Sequence, residues 1–380
     1  MSPLDRLAGL LDAVEGAEQI LVLTHDNPDP DALASAAGLT VLLEGAAGAK
    51  TQAAFGGIVG RAENRVLIQE MGRDFERIED LVLPAGAVFA MVDTQPRAGN
   101  NSLPEGRIVS AVIDHHPVRA DTAVQFTDVR PEYGACASMV LEYLRATDIE
   151  IEPWLATALF VAIQAETLDL SREAAPEDVE ASTYLYGRTQ PASISRIRRA
   201  RVPASYFRSL QEGLAVARCY PRVVTVPLGV LPYPDLVAEI ADLLLQMQGV
   251  DWTIATGRYR DRLLVSVRAR PADAHAGALV REAVGDRGSA GGHGTFGGGQ
   301  IALGTRTPEE VADLREEILD AMLVALDVDP DEVEPLVRES VDAPTDAYRV
   351  GLRPWRSRMD VTNFSIQSTG PTDVASWGIY

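Results

Sequence analysis

Lysine is almost missing from this chain: of its 34 basic residues only Lys50 is a lysine, and the other cations are arginines. Cations of either kind are scarce beside 55 acidic residues, which leaves a formal net charge of −21. A surface so acidic repels long polyanions and argues against extended duplex nucleic acid as a partner; a small nucleotide or short oligonucleotide, whose charge a few cations offset locally, is compatible with it. Arginine dominance with abundant Ala and Asp suits a GC-rich genome, and the acidity equally suits a salt-loving host. Cysteine is scarce too. Cys136 and Cys219 lie far apart and form no C-x-x-C pattern, so neither a disulfide scaffold nor a zinc site is supported, and both read as small buried hydrophobes. No apolar run approaches membrane-spanning length, and Met1-Ser2-Pro3-Leu4-Asp5 lacks the regions of a secretory signal. The expectation is a soluble, cytoplasmic protein without a membrane partner. At 380 residues the chain is long enough for two domains, each with its own core.

Histidine is also rare, and its placement is the informative part. Of five histidines, His25, His115 and His116 fall in two short stretches that follow apolar runs. The first reads Thr24-His25-Asp26-Asn27-Pro28-Asp29-Pro30-Asp31 after Ile20 to Leu23. A hard divalent cation prefers oxygen ligands, accepts an imidazole and needs several ligands aimed at one point. His25-x3-Asp29-x-Asp31 supplies such a set on a loop stiffened by Pro28 and Pro30, between a strand and an Ala/Leu-rich helix running to Leu43. Taken alone, that stretch reads equally well as an Asp/Pro turn capping a helix. Two further buried-strand patterns shift the balance. Val88 to Val92 ends in Asp93, and Ile108 to Ile113 ends in Asp114-His115-His116. An aspartate after a strand is usually a helix cap, whereas an Asp-His-His triplet is harder to dismiss.

In order and approximate spacing these residues resemble the DHH phosphoesterase family, which includes the exonuclease RecJ, manganese pyrophosphatases, oligoribonucleases that also act on 3′-phosphoadenosine 5′-phosphate, and cyclic-dinucleotide phosphodiesterases. The resemblance implies two Mn²⁺ ions, with Mg²⁺ or Co²⁺ as substitutes. His25, Asp29 and Asp93 would hold one and Asp31, Asp93 and His115 the other, with Asp93 bridging. Asp114 and His116 would be the catalytic pair, His116 facing the substrate phosphate. The family's fourth motif ends in Asp-Thr, and here Glu166-Thr167 stands in its place. Glu166 is therefore the first candidate to complete the second metal site and Asp169 the alternative.

A second block, residues 288–300, holds seven glycines in thirteen residues around His293. As composition alone it reads as a flexible loop; glycine at this density also lets a backbone approach an anion closely. With a strand from Leu263 to Arg268 before it and another from Gln300 to Leu303 after it, the block resembles the Gly-Gly-His loop of the DHHA1 domain. That likeness implies Arg268, Gly291, Gly292 and His293 as substrate-binding residues and argues against the pyrophosphatase branch.

The expected architecture is α/β: a parallel-sheet DHH domain over residues 1–187 with helices on both faces, a linker over 188–203, and a smaller α/β DHHA1 domain over 204–326 across a cleft. A turn at Tyr259-Arg260-Asp261-Arg262 joins two strands of the latter. Residues 327–380 form an acidic, proline-containing extension that docks on the body or a neighbouring subunit, as in a homodimer, or remains partly disordered. The expected function is hydrolysis of short oligonucleotides or small phosphorylated nucleotides by metal-activated water. The alternatives are cyclic-dinucleotide hydrolysis and a non-catalytic nucleotide sensor whose metal site is impaired at Glu166.

Overall fold

The apolar runs that the sequence marks as strands are buried on both faces, which explains why they show no polar alternation. In a computed structural model, which describes residues 2–84, 86–120, 122, 124–271, 273–292 and 294–337, six of the strands form a parallel sheet. They are β1 (Gln19–Leu23), β2 (Lys50–Phe55), β3 (Phe75–Arg77), β4 (Val88–Val92), β5 (Val109–Asp114) and β6 (Phe126–Val129). Helices α1 (Pro3–Ala13), α2 (Pro30–Ala47), α3 (Ala62–Met71), α4 (Cys136–Arg145), α5 (Pro153–Glu166) and α6 (Pro176–Tyr186) belong to the same half of the chain. Period-two alternation sends Ile20, Val22, Ala90 and Val92 into one core with α2, α4 and α5. Leu21, Leu23, Phe89 and Met91 point to the opposite face, where Ile78, Leu81, Leu83 and Leu103 cover them.

The strand order is β3-β2-β1-β4-β5-β6. Successive strands therefore build outward in one direction from β1 and in the other from β4, and the order reverses between these two neighbours. In an open α/β sheet the crevice beyond the carboxyl ends of the strands at such a reversal is where ligands bind. His25 follows β1 and Asp93 follows β4, so the topology brings two distant segments to that point.

The segment expected as a linker contains a helix, α7 (Pro191–Arg198). Ile197 is buried in the first core, and Arg196 pairs with Glu70 at 2.6 and 2.7 Å. Beyond it, α8 (Ala204–Val216) leads into a seven-stranded mixed sheet: β7 (Arg218–Tyr220), β8 (Val223–Val230), β9 (Trp252–Tyr259), β10 (Arg262–Ala269), β11 (Ser289–Gly291), β12 (Phe296–Ala302) and β13 (Glu334–Pro335). One face packs on α10 (Ala276–Val284) and α11 (Pro308–Ala325), the other on α8 and α9 (Leu236–Leu244). The start of the expected extension thus supplies an edge strand, β13, paired with β7. Residues 338–380 lie outside the described residues.

The glycine-rich block is mostly strand rather than loop, because β11 and β12 pair antiparallel across it. Close packing accounts for part of its composition. A Cβ on Gly297 would lie 2.5 Å from the Ala276 carbonyl oxygen and 2.6 Å from Val280, so only glycine lets α10 sit this near the strand. Gly292 has φ 131°, a conformation open to glycine almost alone. His293, expected as a substrate ligand, lies outside the described residues.

Candidate metal centre

Each ligand candidate is delivered by a strand end or a helix cap. Asp29 is the N-cap of α2: its Oδ1 accepts from the Ala32 amide at 2.9 Å. Its other oxygen, Oδ2, faces His25 Nε2 at 3.7 Å, so the cap and the ligand readings of this residue hold at once, one oxygen each. Asp31 lies in the first turn of α2 and reaches the start of α4, where its Oδ2 accepts from the Cys136 amide at 2.7 Å and its Oδ1 from Ala137 at 2.8 Å. Asp93 caps no helix. It has φ 58°, a left-handed conformation unfavourable for a residue with a side chain, and strain of this kind is retained where the surroundings over-determine it.

Asp93 is the hub. Its Oδ2 lies 3.6 Å from His25 Nε2, while its Oδ1 lies 3.4 Å from His115 Nε2 and 3.5 Å from His116 Nδ1. The side chain is 2% exposed and Oδ1 has no hydrogen-bond partner. A buried carboxylate oxygen left unpartnered is costly. The separations are long for hydrogen bonds. They suit neighbouring ligand atoms around a cation with bonds of about 2.1 Å. Among the described residues, two groups of candidate ligand atoms share Asp93: one with His25 and Asp29, the other with His115 and His116, each within 4.8 Å.

Both imidazoles that face Asp93 through Nε2 are held by carbonyls at Nδ1, His25 by Asp26 at 3.0 Å and His115 by Tyr133 at 3.2 Å. Such a bond places the proton on Nδ1 and leaves the Nε2 lone pair for a metal. His116 differs. Its Nδ1 bonds Asp114 Oδ1 at 2.8 Å, so that nitrogen is already engaged and the ring is oriented from behind. Asp31 Oδ2 lies 3.8 Å from His115 Nε2 and keeps a lone pair beyond its amide bond, while Oδ1 also accepts from the Ser35 hydroxyl at 3.4 Å. The donor atoms present therefore fit divalent cations on both sides of Asp93.

Charge says the same. Burial raises the Asp31 carboxyl well above its ordinary range, and the facing Asp93 adds to it. Burial, then Asp29, pushes Glu166 up to about 7. Burial opposes the His25 and His115 cations, yet the carboxylates around them win and both rings rise well above the usual imidazole value. Asp93 moves the other way, because the two imidazoles outweigh its burial. Carboxylates crowded in this way raise one another and their neighbouring imidazoles, a charge pattern that suits a divalent cation.

The two candidates near the end of α5 separate clearly. Glu166 lies in the field of Asp29, Asp93 and His115. Asp169 is 68% exposed and pairs with Arg198 at 2.9 Å, away from the cluster. Asp114 is buried and does not reach the cleft as a free carboxylate: Gln95 Nε2 donates to its Oδ2 at 2.7 Å while His116 takes the other oxygen.

Next to this cluster a cleft of about 1020 Å³ runs between the two sheets, lined by Thr94, Gln95 and His116 on one side and by the β9–β10 turn and Gly291 and Gly292 on the other. Arg268 lies outside that lining. It donates to Asp242 at 2.6 Å and stacks on Phe296, whose ring also carries Arg172 from the first half of the chain, with guanidinium carbons 4.8 and 3.8 Å from the ring centre. Gln95, Arg172, Arg260 and Arg262 were not singled out as site residues by the sequence. Gln95 follows Asp93 by two positions, but nothing in the one-dimensional pattern marks its contact with Asp114.

Residues 19–163 match the family model described as the DHH family, N-terminal domain. Residues 19–163 therefore carry a DHH-family N-terminal domain. An uncharacterized protein from Methanocaldococcus jannaschii is 33% identical over 287 residues, 75% of this chain, and the chain spans 58% of that relative's length. The crystal structure of an exopolyphosphatase-related protein from Bacteroides fragilis has the same fold, with a TM-score of 0.65, 15% identity, and coverage of 86% of this chain and 97% of that one. Among the described residues no helix is long and apolar enough to cross a membrane.

Proposed function

We propose that this chain is a phosphoesterase that uses divalent cations, Mn²⁺ first among them, to hydrolyse short oligonucleotides or small phosphorylated nucleotides. The observation that carries the reading is the pair of Asp93 oxygens, one aimed at His25 and the other at His115, with the second left unpartnered in a buried site. When bound, divalent cations there supply Lewis acidity toward a phosphoryl oxygen and acidify water. His25, Asp29, Asp31, Asp93, His115 and Glu166 are the residues that would hold them.

The remaining groups act on the substrate directly. His116 is 36% exposed and lines the cleft, so its outer edge meets the phosphoryl group while Asp114 fixes its orientation through Nδ1. Burial opposes the charged ring, but the hydrogen bond to Asp114 and the charge of Asp93 raise its pKa above the ordinary value. A protonated His116 stabilises negative charge that develops on the substrate and is placed to donate a proton to the leaving oxygen. The glycine edge at Gly291 and Gly292 lets substrate lie close to backbone on the opposite wall.

The test is to assay the purified protein with Mn²⁺ against 3′-phosphoadenosine 5′-phosphate, RNAs of two to five residues, linear and cyclic di-AMP, and pyrophosphate. Turnover of the short RNAs or the bisphosphate, lost in Asp93→Asn together with Mn²⁺ binding, is the expected result. Dominant pyrophosphate turnover, or tight nucleotide binding without turnover, overturns it.

A further inference from the structure

The arginine that the sequence offers for substrate anchoring is spent within the protein. Arg268 is tied to Asp242 and to Phe296, and Arg61, at the start of α3, faces the other oxygen of Asp242 at 3.7 Å. Arg172 donates to the Glu166 carbonyl oxygen at 2.6 Å and stacks on Phe296. The same cleft that reaches His116 is lined, on its far wall, by Arg260 and Arg262 at the β9–β10 turn. Both are exposed. Arg262 has a single side-chain bond, to Gln300 at 2.8 Å, and Arg260 packs loosely on Tyr259, 5.1 Å from its ring centre.

The backbone adds a second observation. Arg260 has φ 54°, at the tip of a two-residue hairpin connection where glycine or asparagine sits without strain. A long cationic side chain is kept where the turn itself favours a small residue, and strain retained at a cleft wall points to a function. In a chain carrying −21, two arginines flanking one aspartate leave this turn on the cleft wall with a net positive charge.

We infer that Arg260 and Arg262 form a distal anion subsite, which binds a phosphate of the substrate other than the one being hydrolysed. The inference deepens the phosphoesterase reading and rests on it for the nature of the substrate. It selects a class: molecules with at least two phosphate groups along one chain, such as an oligonucleotide, over a simple phosphomonoester. Asp261, between the two arginines, repels anions bound on its side and directs them toward the guanidinium groups.

The experiment separates binding from turnover. Fluorescein-labelled RNA pentamer is titrated by anisotropy into EDTA-treated protein at several salt concentrations, comparing wild type with Arg260→Gly/Arg262→Ser; the glycine relieves the turn, and the thermal melt checks folding. Removing two guanidinium–phosphate pairs lowers the slope of log K against log salt by about 1.4, and affinity at low salt falls roughly tenfold or more. Mn²⁺-dependent turnover is measured alongside, with KM for the pentamer rising and KM for a simple phosphomonoester unchanged. An unchanged salt slope in a folded variant overturns the subsite even if the enzyme is active. A changed slope with no turnover in wild type upholds an anion subsite at the turn and overturns the phosphoesterase reading instead.

Discussion

Replacing Gln95 by leucine tests whether the Asp114–His116 pair is held from behind. Gln95 is 2% exposed, and its amide is fully engaged: Nε2 donates to Asp114 Oδ2 at 2.7 Å and to the Pro117 carbonyl at 3.1 Å, while Oε1 accepts from the Arg119 amide and the Thr122 hydroxyl, each at 3.0 Å. Leucine matches the volume closely and removes all four bonds. The Arg119 and Thr122 groups sit near solvent and recover water, so their loss is small. Asp114 is 1% exposed, and a buried carboxylate that loses a charge-assisted bond costs about 1.5–3 kcal/mol; with the Pro117 carbonyl the total is about 3 kcal/mol. Urea unfolding reads that figure directly. The same change loosens His116, so kcat for a short RNA falls by at least tenfold and by more than KM rises, since the contact with Asp114 is the one that orients the ring. Gln95→Glu sharpens the test by setting a second carboxylate against Asp114, which forces the two to share a proton. Stability within 1 kcal/mol of wild type, together with unaltered kcat, would refute the argument.

Mn²⁺ binding is expected to strengthen as pH rises from 6 to 8, because the metal must expel protons held by Glu166, whose pKa is raised to about 7, and by the imidazoles raised above their ordinary value. Calorimetry in two buffers of different ionisation heat should count at least two protons released at pH 7, and none released would contradict the charge argument. Glu166→Gln should weaken binding of one Mn²⁺ equivalent by about tenfold or more, whereas Asp169→Asn should leave both equivalents intact; the reverse pattern assigns the ligand to Asp169. Burial raises Asp235 to about 6 and Glu239 to about 7, the nearby Arg61 opposing it in both. Folded-state pKa values above the unfolded ones mean their stabilisation is full below about pH 4 and is lost as pH climbs through 6 and 7, by roughly 2 kcal/mol each. Asp235→Asn/Glu239→Gln in EDTA should flatten the stability loss between pH 5 and 8, and an equal loss in the double variant would count against it.

Strand-end motifs made the core of the site readable in one dimension. Apolar runs predicted β1, β4 and β5, and chemistry at their carboxyl ends pointed to one centre because parallel strands share a direction. What stayed hidden depends on contacts between segments with no shared pattern. Gln95 meets Asp114 only once β4 and β5 pair, and Arg268 is lost to Asp242 only once α9 packs beside β10. The glycine block misled toward a loop because glycine permits both a loop and a strand pressed under a helix; composition cannot separate them, whereas the Gly297–Ala276 approach does.

The aspartates that face the metal side also hold the scaffold, and this ties ligand binding to folding. Asp29 caps α2 and Asp31 takes the first amides of α4, so the positive ends of two helices meet at the carboxylates that would bind cations. Those dipoles help to balance the carboxylates' charge. A divalent cation would meet Asp31 at Oδ2, which keeps a second lone pair beside the Cys136 amide, whereas Oδ1 already accepts from Ala137 and Ser35. Binding therefore requires proton release but no refolding of the loops. A rigid site preformed by helix caps, rather than one ordered by metal, is what the arrangement of Asp29, Asp31 and Asp93 on two helix starts and a strained strand end amounts to.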